Sequence, residues 1–213
     1  MQKPIKGQQR ALGRRKPQSS NYTLTAPVQA LSAGGAPASS TAYTWVCPET
    51  GTYRFITKGP GASSNGVDEG GASGAHAEKV RLVRAGESVS IVSGVNGVDT
   101  TVTFSDGYVV TAGKASGATP GTASGGDINL NGSAPGTAGT ANAGANGLGP
   151  YGGAGAPGSG YGSGGAGSPG TKEWPGAPAL DRLPGALFGA GGSNYAGGLT
   201  YGGAGGVMIK RVA

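Results

Sequence analysis

Few residues in this chain are equipped for chemistry. His76 is the sole histidine and Cys47 the sole cysteine among 213 residues. A catalytic imidazole needs an acid and a nucleophile at a workable spacing, and no acid or nucleophile sits at an interpretable one from His76, so it reads as a surface or turn histidine in a glycine-rich loop. Cys47 cannot form an intrachain disulfide; a buried, inert thiol is expected, with a bridge between two copies as the lesser reading. One Cys and one His exclude a structural zinc site. Asp68-Glu69 could attract a hard cation, but the further oxygen ligands of a calcium loop are missing and a solvated turn is the better reading. G-x-G-x-x-G matches such as Gly153–Gly158 and Gly160–Gly165 neither follow a strand nor open a helix, and this glycine density produces such matches by chance. The reading is therefore a protein without catalytic residues, cofactor or metal.

Aromatic side chains offer binding chemistry instead. Tyr151, Tyr161, Trp174, Phe188, Tyr195 and Tyr201 are the large rings in a field of small residues. Rings on a rigid platform stack on sugars or fill apolar patches, and such anchors dominate many interfaces. Packing over the backbone to exclude water is the competing use. Tyr161, Trp174 and Tyr195 are the three expected to be exposed and to contact a receptor.

The elements that must position them are unusual. From Gly117 to Gly206, 31 of 90 residues are glycine, none is valine and five are charged. Collagen has a similar glycine share, but Gly125-Gly126 and Gly152-Gly153 break any G-X-Y register. Seven large aliphatics and Phe188 in this tract are too few to repay the entropy of ordering its backbone around a side-chain core. An ordered tract must therefore be held by backbone hydrogen bonds, a partner surface or oligomerisation. Tyr-Gly-Gly-Ala-Gly recurs at 151–155 and 201–205, and Pro-Gly occurs six times within the tract. Proline fixes φ near the polyproline value and glycine can follow it, which predicts extended threefold helices packed side by side. A flexible glycine-rich linker is the alternative.

Before the tract the pattern is that of strands. Tyr43, Trp45 and Cys47 alternate with Thr44 and Val46, Glu49-Thr50-Gly51 turns, and Tyr53 to Thr57 resumes, suggesting a hairpin. Further strands are expected at 79–83, 88–92 and 99–104, with a hairpin through Ser105-Asp106-Gly107 into Tyr108–Val110. Residues 207–212 read as a last strand returning to this sheet. The fold class is all-β: a small antiparallel β-sandwich or jelly roll with a glycine-rich region. Its parts are a basic N-terminal arm and linker (1–40), a β-domain (41–116), the glycine-rich region (117–206) and a closing strand (207–213).

Charge is concentrated at one end. Lys3, Lys6, Arg10, Arg14, Arg15 and Lys16 account for the net charge of +6, because the remaining ten basic residues match ten acidic ones. A solvated arm that orders on docking to another protein is the adopted reading, with nucleic-acid contact the lesser one. No apolar run follows these residues, so they read as neither a signal nor a transit segment. No stretch approaches the ~20 apolar residues of a membrane span.

The run Thr-Trp-Val-Cys-Pro-Glu-Thr-Gly-Thr-Tyr-Arg-Phe (44–55), Gly-Pro-Gly-Ala (59–62), and Gly-Gly-Ala-Ser-Gly-Ala-His-Ala-Glu-Lys-Val (70–80) resembles the glycine-rich domain of tailed-phage tail fibre and adhesin proteins. The resemblance spans roughly residues 41–213 and lies in the order of the motifs. It implies packed polyglycine II-type helices beside a small β-domain, a location on the virion, and attachment to a bacterial surface receptor or glycan. The arm would anchor a homo-oligomer to other virion proteins without membrane insertion. A structural head decoration or head fibre is the alternative.

Overall fold

The structure, a computed structural model, describes residues 21–22, 40–64, 70–95, 97–137, 144–150, 152, 155, 165–177, 179, 189–191 and 202–212. These residues contain ten strands and no helix: β1 (Asn21–Tyr22), β2 (Thr41–Val46), β3 (Gly51–Lys58), β4 (His76–Val83), β5 (Ser88–Ser93), β6 (Thr100–Thr103), β7 (Val109–Ala112), β8 (Ala123–Ser124), β9 (Ile128–Leu130) and β10 (Gly206–Arg211). They form two antiparallel five-stranded sheets, ordered β1-β10-β3-β4-β9 and β2-β5-β6-β7-β8, an arrangement consistent with a β-sandwich.

Alternation decides which side chains meet between the sheets. Tyr53 and Phe55 of β3, Val83 of β4 and Val207 and Ile209 of β10 face Trp45, Val89, Ile91, Val102, Phe104 and Val110 from the second sheet. Trp45 packs edge-on against Tyr53 and Phe55 at ring-centroid distances of 5.1 and 5.7 Å, and Phe55 meets Phe104 at 4.9 Å. Edge-to-face geometry suits the ring quadrupoles. Cys47 is buried beside this cluster, its thiol 3.0 Å from the Glu49 carbonyl.

The expected hairpin of residues 41–57 does not form. β2 pairs with β5, whereas β3 lies in the opposite sheet between β10 and β4. The corner from Cys47 to Thr50 crosses between sheets. It is tied down by Cys47 N–H to the Glu87 carbonyl (2.9 Å), Gly86 N–H to the Cys47 carbonyl (2.8 Å) and the Tyr53 hydroxyl to the Glu49 carbonyl (2.8 Å). Three large rings bury more surface facing one another across the sandwich than lined up on one sheet. The β6–β7 hairpin does form, with Thr103 opposite Val109 and Gly107 at φ 82°, a left-handed conformation that suits glycine. β10 pairs along β3, so the end of the chain returns to the first sheet. β8 and β9, beyond residue 116, extend the second and first sheets respectively.

Glycine-rich segments that belong to neither sheet are bonded to one another through their backbones. Four consecutive N–H groups illustrate this: Ala72 donates to Gly117, Ser73 to Ser133, Gly74 to Gly189 and Ala75 to Gly113, at 2.8–3.0 Å. A strand sends its donors alternately to two sides; here the chain turns through several neighbours. It also meets one neighbour at a three-residue interval, with Ala62 N–H on the Ala72 carbonyl and Gly59 N–H on that of Ala75. The approach is too close for side chains. A Cβ on Gly61, Gly74, Gly191 or Gly202 would come nearer than 3.0 Å to a backbone carbonyl oxygen, of Ala190, Gly59, Gly71 and Gly61 in turn.

Candidate functional site

The outward face of the first sheet carries a layer of ionisable groups. Alternation that sends Tyr53, Phe55 and Thr57 inward turns Arg54, Ile56 and Lys58 outward; on β4 it turns out His76 and Glu78. Register puts Lys58 opposite His76, Ile56 opposite Glu78, and Arg54 opposite Lys210 of β10. The loop Ser168–Ala177 lies over them. Lys58, His76 and Glu78 are consequently 1%, 0% and 2% exposed.

Glu78 is the hub. Its Oε1 accepts from His76 Nε2 at 3.0 Å and from the Thr171 hydroxyl, while its Oε2 lies 3.4 Å from Arg54 Nη1. Glu173, on the loop, lies 2.8 Å from Lys210 Nζ and 3.7 Å from Arg54 Nη1. Lys58 Nζ donates to the Pro175 carbonyl at 2.6 Å and sits 5.3 Å from the centroid of the Trp174 ring, a cation–π geometry.

Burial pushes the Lys58 ammonium down to about 7, against the pull of Glu78. The His76 imidazolium is disfavoured by burial and by Lys58, and its hydrogen bond to Glu78 only partly offsets this, leaving it below its ordinary value. Burial raises the Glu78 carboxyl, but hydrogen bonds from His76 and Thr171 and the charges of His76 and Arg54 outweigh it; the carboxyl titrates below its usual range. The Lys210 hydrogen bond does the same for Glu173. The arrangement clamps the loop to the sheet through ionisable side chains. Among the described residues no cluster of three or more His, Cys, Asp or Glu could hold a metal ion.

Of the residues expected to bind a receptor, Trp174 lies at the tip of this loop, half-buried against Lys58. Tyr161 and Tyr195 lie outside the described residues, as do Lys3, Lys6, Arg10, Arg14, Arg15, Lys16 and the Asp68-Glu69 pair. His76 corrects an expectation: it is not a surface or turn residue but the buried first residue of β4. The partner that buries it is the loop 93 residues further on, where Thr171 reaches Glu78. Lys58 and Glu78 were missed because alternation marks them as outward and solvated. One signal was available: Ile56 and Met208 share that face, and apolar residues among charges suggest a cover. No protein-family model and no curated protein sequence matches this chain.

Proposed function

We propose that the chain is a non-enzymatic virion protein of a tailed bacteriophage, a tail fibre or adhesin that presents turns of its glycine-rich region to the bacterial surface. In this reading the glycine-rich segments are polyglycine II-type helices. The observation that carries it is the backbone network itself: donors that turn through successive neighbours, return to one neighbour at three residues, and leave no room for a Cβ. Such a network is a rigid scaffold with almost no side chains of its own, which leaves the connecting turns to bear the recognition chemistry. Lys172, Glu173 and Trp174 form one such turn, closed by Thr171 N–H on the Trp174 carbonyl at 3.2 Å. The receptor would be a surface protein or glycan that accepts an aromatic ring. The arm of Lys3, Lys6, Arg10, Arg14, Arg15 and Lys16 would dock a homo-oligomer on another virion protein.

Particles carrying Tyr161→Ala with Trp174→Ala are expected to adsorb to host cells at least about tenfold more weakly, because each aromatic anchor is worth roughly 1 kcal/mol or more. Normal incorporation of the variant into particles must accompany that loss. Adsorption at the wild-type rate would favour the structural head decoration or head-fibre reading instead.

Removing residues 2–20 tests the anchor separately, since it spares β1, which pairs on β10. The shortened chain should keep its thermal unfolding midpoint but be lost from particles. Retention in particles would remove the anchoring role from the arm.

A further inference from the structure

The loop covering the ionisable layer has two unlike ends. Its base belongs to the glycine network: Ser168 and Ala177 are buried, Ser168 N–H donates to the Ala177 carbonyl at 2.9 Å, and Ala177 N–H donates to Ser168 Oγ at 2.7 Å. Its tip rests on the sheet through polar contacts: Thr171 to Glu78, Glu173 to Lys210 and Arg54, and Lys58 to both the Pro175 carbonyl and the Trp174 ring. We propose that the tip of this loop is a proton-sensitive strap, closed over Lys58, His76 and Glu78 at neutral to alkaline pH and released when His76 takes up a proton.

The geometry leaves that proton nowhere to go while the strap is closed. A carboxylate oxygen only accepts, so the hydrogen of neutral His76 sits on Nε2, pointing at Glu78. The second proton must then enter at Nδ1, which is buried and has no hydrogen-bond partner among the described residues. A charged N–H without an acceptor in a buried site is costly. The neighbours add to the cost. From β3 come Arg54 and Lys58, from β4 Glu78, from β10 Lys210 and from the loop Glu173, while Lys172 is exposed. β9 contributes the apolar positions Ile128 and Leu130 opposite Glu78 and His76. Three cations already face two carboxylates, and a protonated His76 would be a fourth. Lifting the tip hydrates the whole layer and relieves both costs.

The three buried groups act in the same direction. Closure holds His76 below its ordinary value of 6.5, so the closed form binds fewer protons and loses ground as pH falls below 6.5. Lys58 drops from 10.5 to about 7 on closure, so the strap also weakens as pH falls from 10.5 to 7 and gains no further dependence below that. Glu78 is held below its ordinary carboxyl value, and its contribution disappears only in stronger acid. Each proton taken up on opening shifts the closed-to-open ratio by up to about tenfold per pH unit.

Trp174 reports the state directly, because Trp45, the other tryptophan, lies in the core. Acrylamide quenching of the full chain, with Trp174→Phe as the Trp45 background, should show Trp174 becoming several-fold more accessible between pH 7.5 and pH 5. Amide protection at Val89, Ile91 and Val102 should stay constant, which separates strap release from unfolding. His76→Gln retains a side-chain donor for Glu78 but cannot titrate, so the step below pH 6.5 should vanish. Unchanged quenching in the wild-type chain, or a step that survives in His76→Gln, would overturn the proposal. Should that variant fail to fold, proton NMR of wild-type His76 decides: a ring titrating at or above 6.5 contradicts the strap, and one titrating below it supports the strap.

Discussion

Gly61→Ala should lower the thermal unfolding midpoint by roughly 6–20 °C, from a loss of about 3–5 kcal/mol in a chain of this size. One methyl group achieves this because the site has no soft side. The added Cβ would overlap both the carbonyl oxygen and the carbonyl carbon of Ala190. That carbonyl cannot swing away freely, since it accepts the Gly203 N–H at 2.8 Å, while Gly61 N–H donates to the Gly203 carbonyl at 2.8 Å. Relieving the clash therefore means overpacking strain, typically about 1–3 kcal/mol, together with loss of one or more buried backbone hydrogen bonds at about 1–3 kcal/mol each. Gly97→Ala is the control. Gly97 has φ 88°, but a Cβ there meets nothing within 4 Å, so only the left-handed backbone penalty of about 1–2 kcal/mol applies. Equal midpoints for the two variants, measured by calorimetry or circular dichroism, would mean that the close backbone approach does not hold the molecule together.

Glu78→Ala should cost about 3–5 kcal/mol, the usual penalty for removing one partner of a buried ion pair. The substitution breaks the 3.4 Å ion pair with Arg54, removes the negative charge that acts on buried Lys58, and deprives His76 and Thr171 of their acceptor. Lys58→Met should cost less. It removes a buried amine that burial already holds down to about 7, and it gives up the 2.6 Å hydrogen bond to the Pro175 carbonyl and the contact with the Trp174 ring, a loss of about 1–3 kcal/mol. The expected order of stability at pH 7 is therefore wild type, then Lys58→Met, with Glu78→Ala lowest, measured by urea denaturation. A Glu78→Ala variant as stable as wild type would show that the ionisable layer is open to water and does not clamp the loop.

Much of the fold was legible in local pattern. Alternation around Tyr53-Arg54-Phe55-Ile56-Thr57 and Ser88–Val92 gave the strands and their inward residues, because a strand's side-chain period is set by its own backbone. The Ser105-Asp106-Gly107 turn gave a hairpin for the same local reason. The partner of β2 was not legible. Hairpin and cross-sandwich arrangements place the same alternating residues on a buried face, and only the fit of Trp45 against Tyr53 and Phe55 separates them. Ile128–Leu130 also escaped notice: three residues in a glycine-rich stretch carry no period, and β9 exists because β4 offers it an edge.

The amino-acid sequence alone determined that residues 117–206 could not fold around side chains, because seven aliphatics and one phenylalanine cannot offset the entropy of so much glycine. It left backbone hydrogen bonds, a partner surface or oligomerisation as the ways to hold any order there. Which backbones meet was decided only by the tertiary structure. Glycine carries no side chain to encode a partner, so Gly61 finds Gly203, and Gly74 finds Gly189, through the positions that the sheets impose on their ends. The same holds for the ionisable layer. Lys58, His76 and Glu78 are unremarkable in their own strands, and they became a buried cluster when a loop from a hundred residues downstream was laid across them. Charge and burial are properties of a place, and sequence spacing supplies only one of the two surfaces that make it.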